Sequence, residues 1–223
     1  EAEDRLRLCH DFYRQGEENA FTFDMIQNMK KGHSFKDFIC PDSFEFEKDF
    51  RDYTFKYFTP YIEYFSLLRC WNEFQIIKRF LKEPKYLDVF RSCNLGSKTN
   101  TWCGDCSKCL YVFIMLYPFV DRKKLIQIFH HDMLDDEKYK DTLLALVSQD
   151  FDKPFECVGT KEEIDYALKL SIEKYSELPL LLKYYKENFY DSSKQYDVDN
   201  YFNNNNFIND KFLKMMGYDK NER

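Results

Sequence analysis

The sequence predicts a helix-rich α/β fold with a four-cysteine zinc knuckle and a helical C-terminal region. Three observations carry that prediction. Cys93, Cys103, Cys106 and Cys109 crowd into seventeen residues at metal-ligand spacing. Apolar residues recur at helical intervals through most of the chain from Phe44 onward. One run, Tyr61–Leu68, is aromatic and β-branched enough to read as a buried strand.

The elements follow in order. Ala2–Arg14 reads as a charged helix with Leu6, Cys9, His10 and Tyr13 on one stripe, closed by Gly16. Phe21–Lys30 is a short helix or strand, and Gly32–Asp42 is a connector. Ser43 is placed to cap a helix over Phe44–Phe58, whose Glu45 and Glu47 suit the positive end of the helix dipole. Phe46, Phe50, Tyr53, Tyr57 and Phe58 form its expected core-facing stripe. Pro60 ends the pattern, and the expected strand follows. Asn72–Leu81 reads as a helix ending before Pro84.

Beyond the cysteine loop, Cys106–Tyr117 is an almost wholly apolar helix, expected to be central, and Pro118 stops it. Asp121 caps a helix to His130, and Glu137–Val147 is another. Thr160-Lys-Glu-Glu163 is a capping box opening Lys161–Ser176, with Ile164, Ala167, Leu168 and Ile172 inward. Pro179 starts a helix to about Tyr190. Asp191–Asn209 is polar and Asn-rich and reads as a flexible link; a short helix over Ile208–Met216 follows. The expected organisation is an unassigned segment 1–42, a zinc-containing domain 43–190, and a link with a terminal helix, 191–223.

Composition narrows the function classes. The chain has 223 residues, 44% hydrophobic and 32% charged, long enough to bury a core. A net charge of −6 and a pI near 5.4, with no long Lys/Arg run, argue against nucleic-acid binding. The longest apolar stretch, Leu110–Val120, contains Pro118 and is too short to span a bilayer. No basic segment followed by an apolar one opens the chain, and eight cysteines with a metal-like cluster fit a reducing cytoplasm. The chain begins at Glu1 without Met and is expected to be part of a longer protein.

Four soft ligands at these intervals fit the closed tetrahedral shell that Zn²⁺ takes at structural sites. Gly104 supplies a permissive backbone for the knuckle, and Cys106 and Cys109 lie one helical turn apart. An iron–sulfur cluster and free or disulfide-paired cysteines are the competing readings. A four-thiolate shell leaves no open position, which makes the metal a scaffold rather than a catalyst.

Four further places carry chemistry. Ser66 and Arg69 close the expected strand, where α/β enzymes place ligand-binding groups, and Arg69 suits a carboxylate or phosphate; a surface ion pair is the plainer reading. Arg91 beside Cys93 is placed to hold an anion or donate to a thiolate. His130-His131-Asp132-Met-Leu-Asp135-Asp136 resembles metal ligands, although a helix C-terminus and turn explain it equally. Glu156 and Cys157 precede the capped helix, as an acid/base pair or as a carboxylate and a buried structural thiol. No phosphate-binding G-x-x-x-x-G-K-[ST] or G-x-G-x-x-G motif and no Ser/His/Asp triad can be recognised.

Five motifs occur in one order: Glu63-Tyr-Phe-Ser-Leu-Leu-Arg69, Val89-Phe-Arg-Ser-Cys-Asn94, Trp102-Cys-Gly-Asp-Cys-Ser-Lys-Cys109, Met133-Leu-Asp-Asp136 and Lys153-Pro-Phe-Glu-Cys-Val-Gly159. Together they resemble the C-terminal half of the MurL family, over about Ser43–Leu168. The cysteine spacing is also similar to the zinc site of the 7-cyano-7-deazaguanine synthase family. The resemblance implies the C-terminal portion of a PP-loop-like nucleotide enzyme. It also implies ATP- and Mg²⁺-dependent inversion of the terminal L-Glu of UDP-N-acetylmuramoyl-L-alanyl-L-glutamate through an adenylated carboxylate. Ser66, Arg69 and Arg91 are then substrate-binding, and Glu156 and Cys157 catalytic. The chain departs from the family in having Cys70-Trp71 after Arg69 and no Ser-Gly-Gly-x-Asp-Ser loop. A zinc-stabilised interaction domain without catalysis is the alternative reading.

Overall fold

The structure, a computed structural model, describes residues 44–93, 95–148, 150–151, 154 and 158–218. The helix expected over Ala2–Arg14, the Phe21–Lys30 element and the Ser43 cap lie outside those residues. The chain forms two compact units, which among the described residues are 44–70 with 203–218, and 71–202.

In the larger unit, α2 (Glu73–Phe80) opens on a reciprocal capping box. The Asn72 side chain accepts from the Gln75 amide, and Gln75 answers on the Asn72 amide. Short 3₁₀ turns at Pro84–Tyr86 and Ser97–Thr99 carry the chain to the cysteines. Then comes α3 (Ser107–Leu116), buried on every face from Cys109 to Leu116. A helix apolar all round has no polar face to show to water, so neighbours must surround it. Those neighbours are α2, α4 (Arg122–Phe129), α5 (Lys140–Val147) and α6 (Lys161–Lys174). A 3₁₀ turn, Glu137–Tyr139, precedes α5.

Asp121 caps α4, and His130 ends it in the left-handed region at φ 70°. Thr160 and Glu163 form the expected capping box of α6, whose Ile164, Ala167, Leu168 and Ile172 are buried. Pro179 opens α7 (Leu180–Asn188). Every helix expected in this unit is therefore present, within three residues of its expected ends.

The smaller unit holds α1 (Phe44–Tyr57) and α8 (Asp210–Met215), the latter capped by Asn209. Two expectations fail here. No strand occurs among the described residues, and Tyr61–Leu68 is turn and irregular chain. Tyr61 is 92% exposed and Ile62 64%, so this run is not a buried strand. Aromatic β propensity is a preference for packing on a pleated, half-buried surface, and no neighbouring strand provides one. The second concerns α1, whose one buried residue is Glu47, while Tyr57 and Phe58 are exposed. Glu47 is drawn inward by Arg69, whose Nε lies 2.5 Å from its carboxylate. The aromatic rings pair among themselves instead, Phe46 on Phe50 and Phe50 on Tyr64.

The Asn-rich stretch departs from a free link. Residues 191–202 have no regular structure but are fastened to α2. Asn72 Nδ2 donates to the Val198 carbonyl, and Gln75 Nε2 to those of Asp199 and Tyr201. Val198 itself enters the core.

Candidate metal centre and its surroundings

The knuckle is assembled by a loop that doubles back on itself. Gly96 sits so near the returning strand of the loop that a Cβ there would lie 1.9 Å from the Thr101 carbonyl oxygen. Only glycine permits that approach. Asn100 and Gly104 take left-handed conformations, φ 52° and 72°, which turn the chain toward Cys103 and Cys106. Trp102 anchors the loop from below, 4.6 Å from Phe129 and 5.6 Å from Phe90 between ring centres. Cys106 is the N-cap of α3, and Cys109 lies within its first turn.

The four sulfurs all fall within 4.8 Å of one another. Cys93 and Cys106 are 4.0 Å apart, Cys103 and Cys109 3.6 Å, and Cys106 and Cys109 3.5 Å. A tetrahedron with Zn–S bonds of about 2.3 Å has edges of about 3.8 Å, so the sulfur set fits that ion. Backbone amides point at the sulfurs: Gly96 and Cys103 donate to Cys93, and Asp105 donates to Cys103. Burial opposes ionisation of Cys93, yet the Cys103 and Gly96 amides prevail and bring its pKa down to about 7. Burial pushes the deeper Cys109 thiol up. Such donors stabilise thiolates, as outer hydrogen bonds do at metal–sulfur sites.

A second layer holds the knuckle. Tyr139 donates its hydroxyl proton to the Gly104 carbonyl, and His131 Nε2 lies 2.5 Å from the same hydroxyl oxygen. With that proton committed, His131 is the donor to Tyr139. Lys138 bridges to Asp105 at 3.0 Å. The His130–Asp136 run thus closes a helix and braces the knuckle instead of gathering round an ion. Asp132 and Asp135 bind Arg122, and Asp135 also accepts the Leu180 amide. Neither sequence spacing nor residue type distinguished that bracing from a ligand set; only the partner Tyr139 does.

The other sequence candidates fall in different places. Arg91, in the larger unit with the knuckle, is half-buried and donates to the Phe90 carbonyl at 2.6 Å. Its Nε and the neighbouring Ser92 hydroxyl are buried without partners. Ser66 and Arg69 belong to the smaller unit. The Ser66 carbonyl accepts the Arg69 amide at 3.3 Å, and Glu47 orients the Arg69 guanidinium.

Glu156 and Cys157 lie outside the described residues, but the ends of their segment are defined. The Ser148 carbonyl accepts from Lys161 Nζ, bringing the two ends of 148–161 together. Val158 and Gly159 are buried. A Cβ on Gly159 would stand 2.6 Å from the Tyr111 hydroxyl and 3.0 Å from Glu163 Oε2. Burial, with the Glu73 and Glu163 charges adding to it, pushes Tyr111 up, so its hydroxyl stays protonated. Sequence reasoning missed Tyr111 because it stands in an unbroken apolar helix, where a tyrosine reads as one more core ring.

Comparison with known proteins places this architecture. Residues 89–196 match the family model described as the MurL C-terminal domain. That segment is similar to the MurL family. The match contains all four knuckle cysteines, Arg91 and the 149–160 segment. Three relatives bear the name UDP-N-acetyl-alpha-D-muramoyl-L-alanyl-L-glutamate epimerase. The protein of a Micromonospora species is 42% identical over 115 residues, covering 50% of this chain and 26% of the relative. That of Xanthomonas oryzae pv. oryzae is 37% identical over 124 residues, 53% of this chain and 28% of the relative. That of Salinispora tropica is 41% identical over 111 residues, 48% and 24%. The chain thus spans about a quarter of the length of these MurL relatives. No solved structure matches it. Among the described residues, no helix is long and apolar enough to cross a membrane.

Proposed function

We propose that this chain is the C-terminal portion of a cytoplasmic epimerase that inverts the terminal L-Glu of UDP-N-acetylmuramoyl-L-alanyl-L-glutamate, in peptidoglycan precursor synthesis. The observation that carries the proposal is the family match over residues 89–196, with three relatives that bear the epimerase name. In this reading Cys93, Cys103, Cys106 and Cys109 hold one structural Zn²⁺, supported by sulfur separations close to those of a tetrahedral shell. The closed shell ties the Cys93 loop to the start of α3 and does no chemistry on substrate.

The chemistry has a clear electronic requirement. An ionised α-carboxylate makes the adjacent Cα–H a very weak acid. Attack of that carboxylate on the α-phosphorus of ATP, with Mg²⁺ and loss of pyrophosphate, gives an acyl adenylate without the negative charge. The acyl group then accepts the electron pair left when a base removes the Cα proton. Reprotonation on the opposite face inverts the centre, and water cleaves the adenylate to the D-Glu product and AMP. Glu156 and Cys157 are the proposed proton carriers, one for each face. Ser66, Arg69 and Arg91 are the proposed holders of substrate carboxylates or phosphates.

The test is incubation of the full-length protein that contains this chain with the UDP-muramoyl dipeptide, ATP and Mg²⁺ in deuterated water. D-Glu carrying deuterium at Cα and stoichiometric AMP are expected. Cys157→Ala should lower Cα–H exchange at least a hundredfold. Exchange at the wild-type rate would remove Cys157 as a base. Absence of exchange in the full-length wild-type protein would leave the zinc-stabilised interaction domain.

A further inference from the structure

We propose that Arg91, Ser92 and Trp102 form an oxyanion-binding site beside the cysteine knuckle, one that takes a carboxylate or a phosphate. The proposal deepens the role given to Arg91 above, and it rests on the epimerase reading only for the source of that anion.

Buried polar groups are nearly always paired, so buried donors without acceptors call for a missing partner. The chain around Cys93 holds three of them. Arg91 Nε, Ser92 Oγ and Trp102 Nε1 are all buried without a hydrogen-bond partner. Trp102 is 3% exposed, so its N–H is shut off from bulk water. Arg91 Nη1 donates to the Phe90 carbonyl at 2.6 Å, a neutral acceptor that leaves the guanidinium charge uncompensated. Arg69 and Arg122, by contrast, each bind a carboxylate. The acidic residues between 82 and 109 are Glu83, Asp88 and Asp105, and each is paired with a lysine. Among the described residues, no carboxylate forms an ion pair with Arg91.

Two stretches of chain bring these donors into one neighbourhood. The Cys103 amide donates to Cys93 Sγ at 3.4 Å, and the Phe90 and Trp102 rings meet edge to face at 5.6 Å. Residues 90–93 therefore lie against residues 102–103, with Arg91 and Ser92 between the two contacts. The residue types then define the ligand. Arginine Nε and tryptophan Nε1 donate and cannot accept, and a seryl hydroxyl donates as readily. Such a set lacks an acceptor, and the guanidinium charge makes an anionic acceptor the best match. A cation held by the four cysteines cannot fill that need, since it offers no lone pair. Cys93 Sγ is already engaged by the Gly96 and Cys103 amides. A planar guanidinium beside a hydroxyl suits the oxygens of a carboxylate or phosphate.

The experiment is an NMR titration of the metal-loaded, full-length protein that contains this chain, with its tryptophan and arginine side chains labelled with ¹⁵N. Inorganic phosphate and N-acetyl-L-glutamate are the two probes. The Trp102 indole and Arg91 Nε–H signals, assigned with Trp102→Phe and Arg91→Lys, should shift along one shared saturation curve. Tighter phosphate binding assigns the site to a phosphate of the substrate or nucleotide; tighter N-acetyl-L-glutamate binding assigns it to a glutamyl carboxylate. Arg91→Gln should weaken the tighter probe at least tenfold, and Ser92→Ala at least threefold, with the metal content unchanged. In anion-free buffer Arg91→Gln should melt no lower than the wild type, because it removes a charge that has no counter-ion. A lower melting temperature with unchanged probe affinity would make Arg91 structural and overturn the site. Signals that move with neither probe, as expected for donors filled by water alone, would also overturn it. A full-length protein without epimerase activity would remove the epimerase reading, and the titration would still decide the site.

Discussion

Gly96 and Cys106 support the same knuckle by unlike means, and substitutions should separate them. At Gly96 the constraint is steric: a methyl group would sit 1.9 Å from a backbone oxygen, so the loop must open to admit it. Gly96→Ala should cost about 2–4 kcal/mol, in the range of strongly overpacked sites, read as a lowered urea midpoint at unchanged slope. At Cys106 the constraint is chemical. Cys106→Ser should abolish stoichiometric zinc in elemental analysis and release the loop to proteolysis, because metal binding and loop folding are one equilibrium. Iron in place of zinc in the wild type would refute the assignment. The cysteine set was legible in sequence because two-residue spacings are local, and local spacing fixes which thiols can share an ion. The Gly96–Thr101 approach was not, since it depends on the path of the whole loop. Glu47 was illegible for a related reason. A glutamate in a first helical turn reads as a solvated dipole partner, and only Arg69, 22 residues on, turns it inward.

Helices were legible where local and tertiary signals agreed. The α3 run has one reading, since an apolar helix must be surrounded, and Thr160 with Glu163 announces the start of α6 within four residues. Tyr61–Leu68 shows the opposite case, because a strand is defined by its neighbour and sequence gives only willingness to pair. The first turn of α2 offers a test of how far a cap extends beyond its helix. Asn72 accepts from Gln75 through its oxygen while its amide nitrogen donates to Val198, so one side chain caps a helix and fastens the 191–202 stretch. Asn72→Ala should therefore cost about 2 kcal/mol, summing an N-cap loss of about 1 kcal/mol with a part-buried hydrogen bond of similar size. Asn72→Asp should keep the cap and lose the Val198 bond, giving roughly half the effect. An Asn72→Asp midpoint equal to that of the wild type in urea denaturation would show that the Val198 bond adds nothing.

At the scale of the molecule, the Asn-rich stretch decides where the larger unit ends. Composition placed the boundary near residue 190, because polar, Asn-rich sequence rarely buries enough apolar surface to fold by itself. The stretch does not fold by itself; it borrows the polar face of α2. Gln75 is 94% buried, and its two amide protons reach the carbonyls of Asp199 and Tyr201. Lys78 and Tyr166 converge on the Asp199 carboxylate from α2 and α6, and Val198 fills a core position. Ending the chain at Tyr190 would expose the core beneath Val198, worth about 2 kcal/mol, and strip Gln75 of its acceptors, at about 1–3 kcal/mol more. For a unit of this size that is a fall in melting temperature of roughly 10 °C or more. Ending the chain at Phe202 keeps these contacts while removing α8 from the smaller unit. The 1–202 chain should therefore retain the main transition of the larger unit, and the 1–190 chain should lose it toward lower temperature. Scanning calorimetry of the two truncations beside the full chain makes the comparison. Matching transitions in both truncations would mean that residues 191–202 lie on the larger unit without stabilising it, and the boundary would return to residue 190.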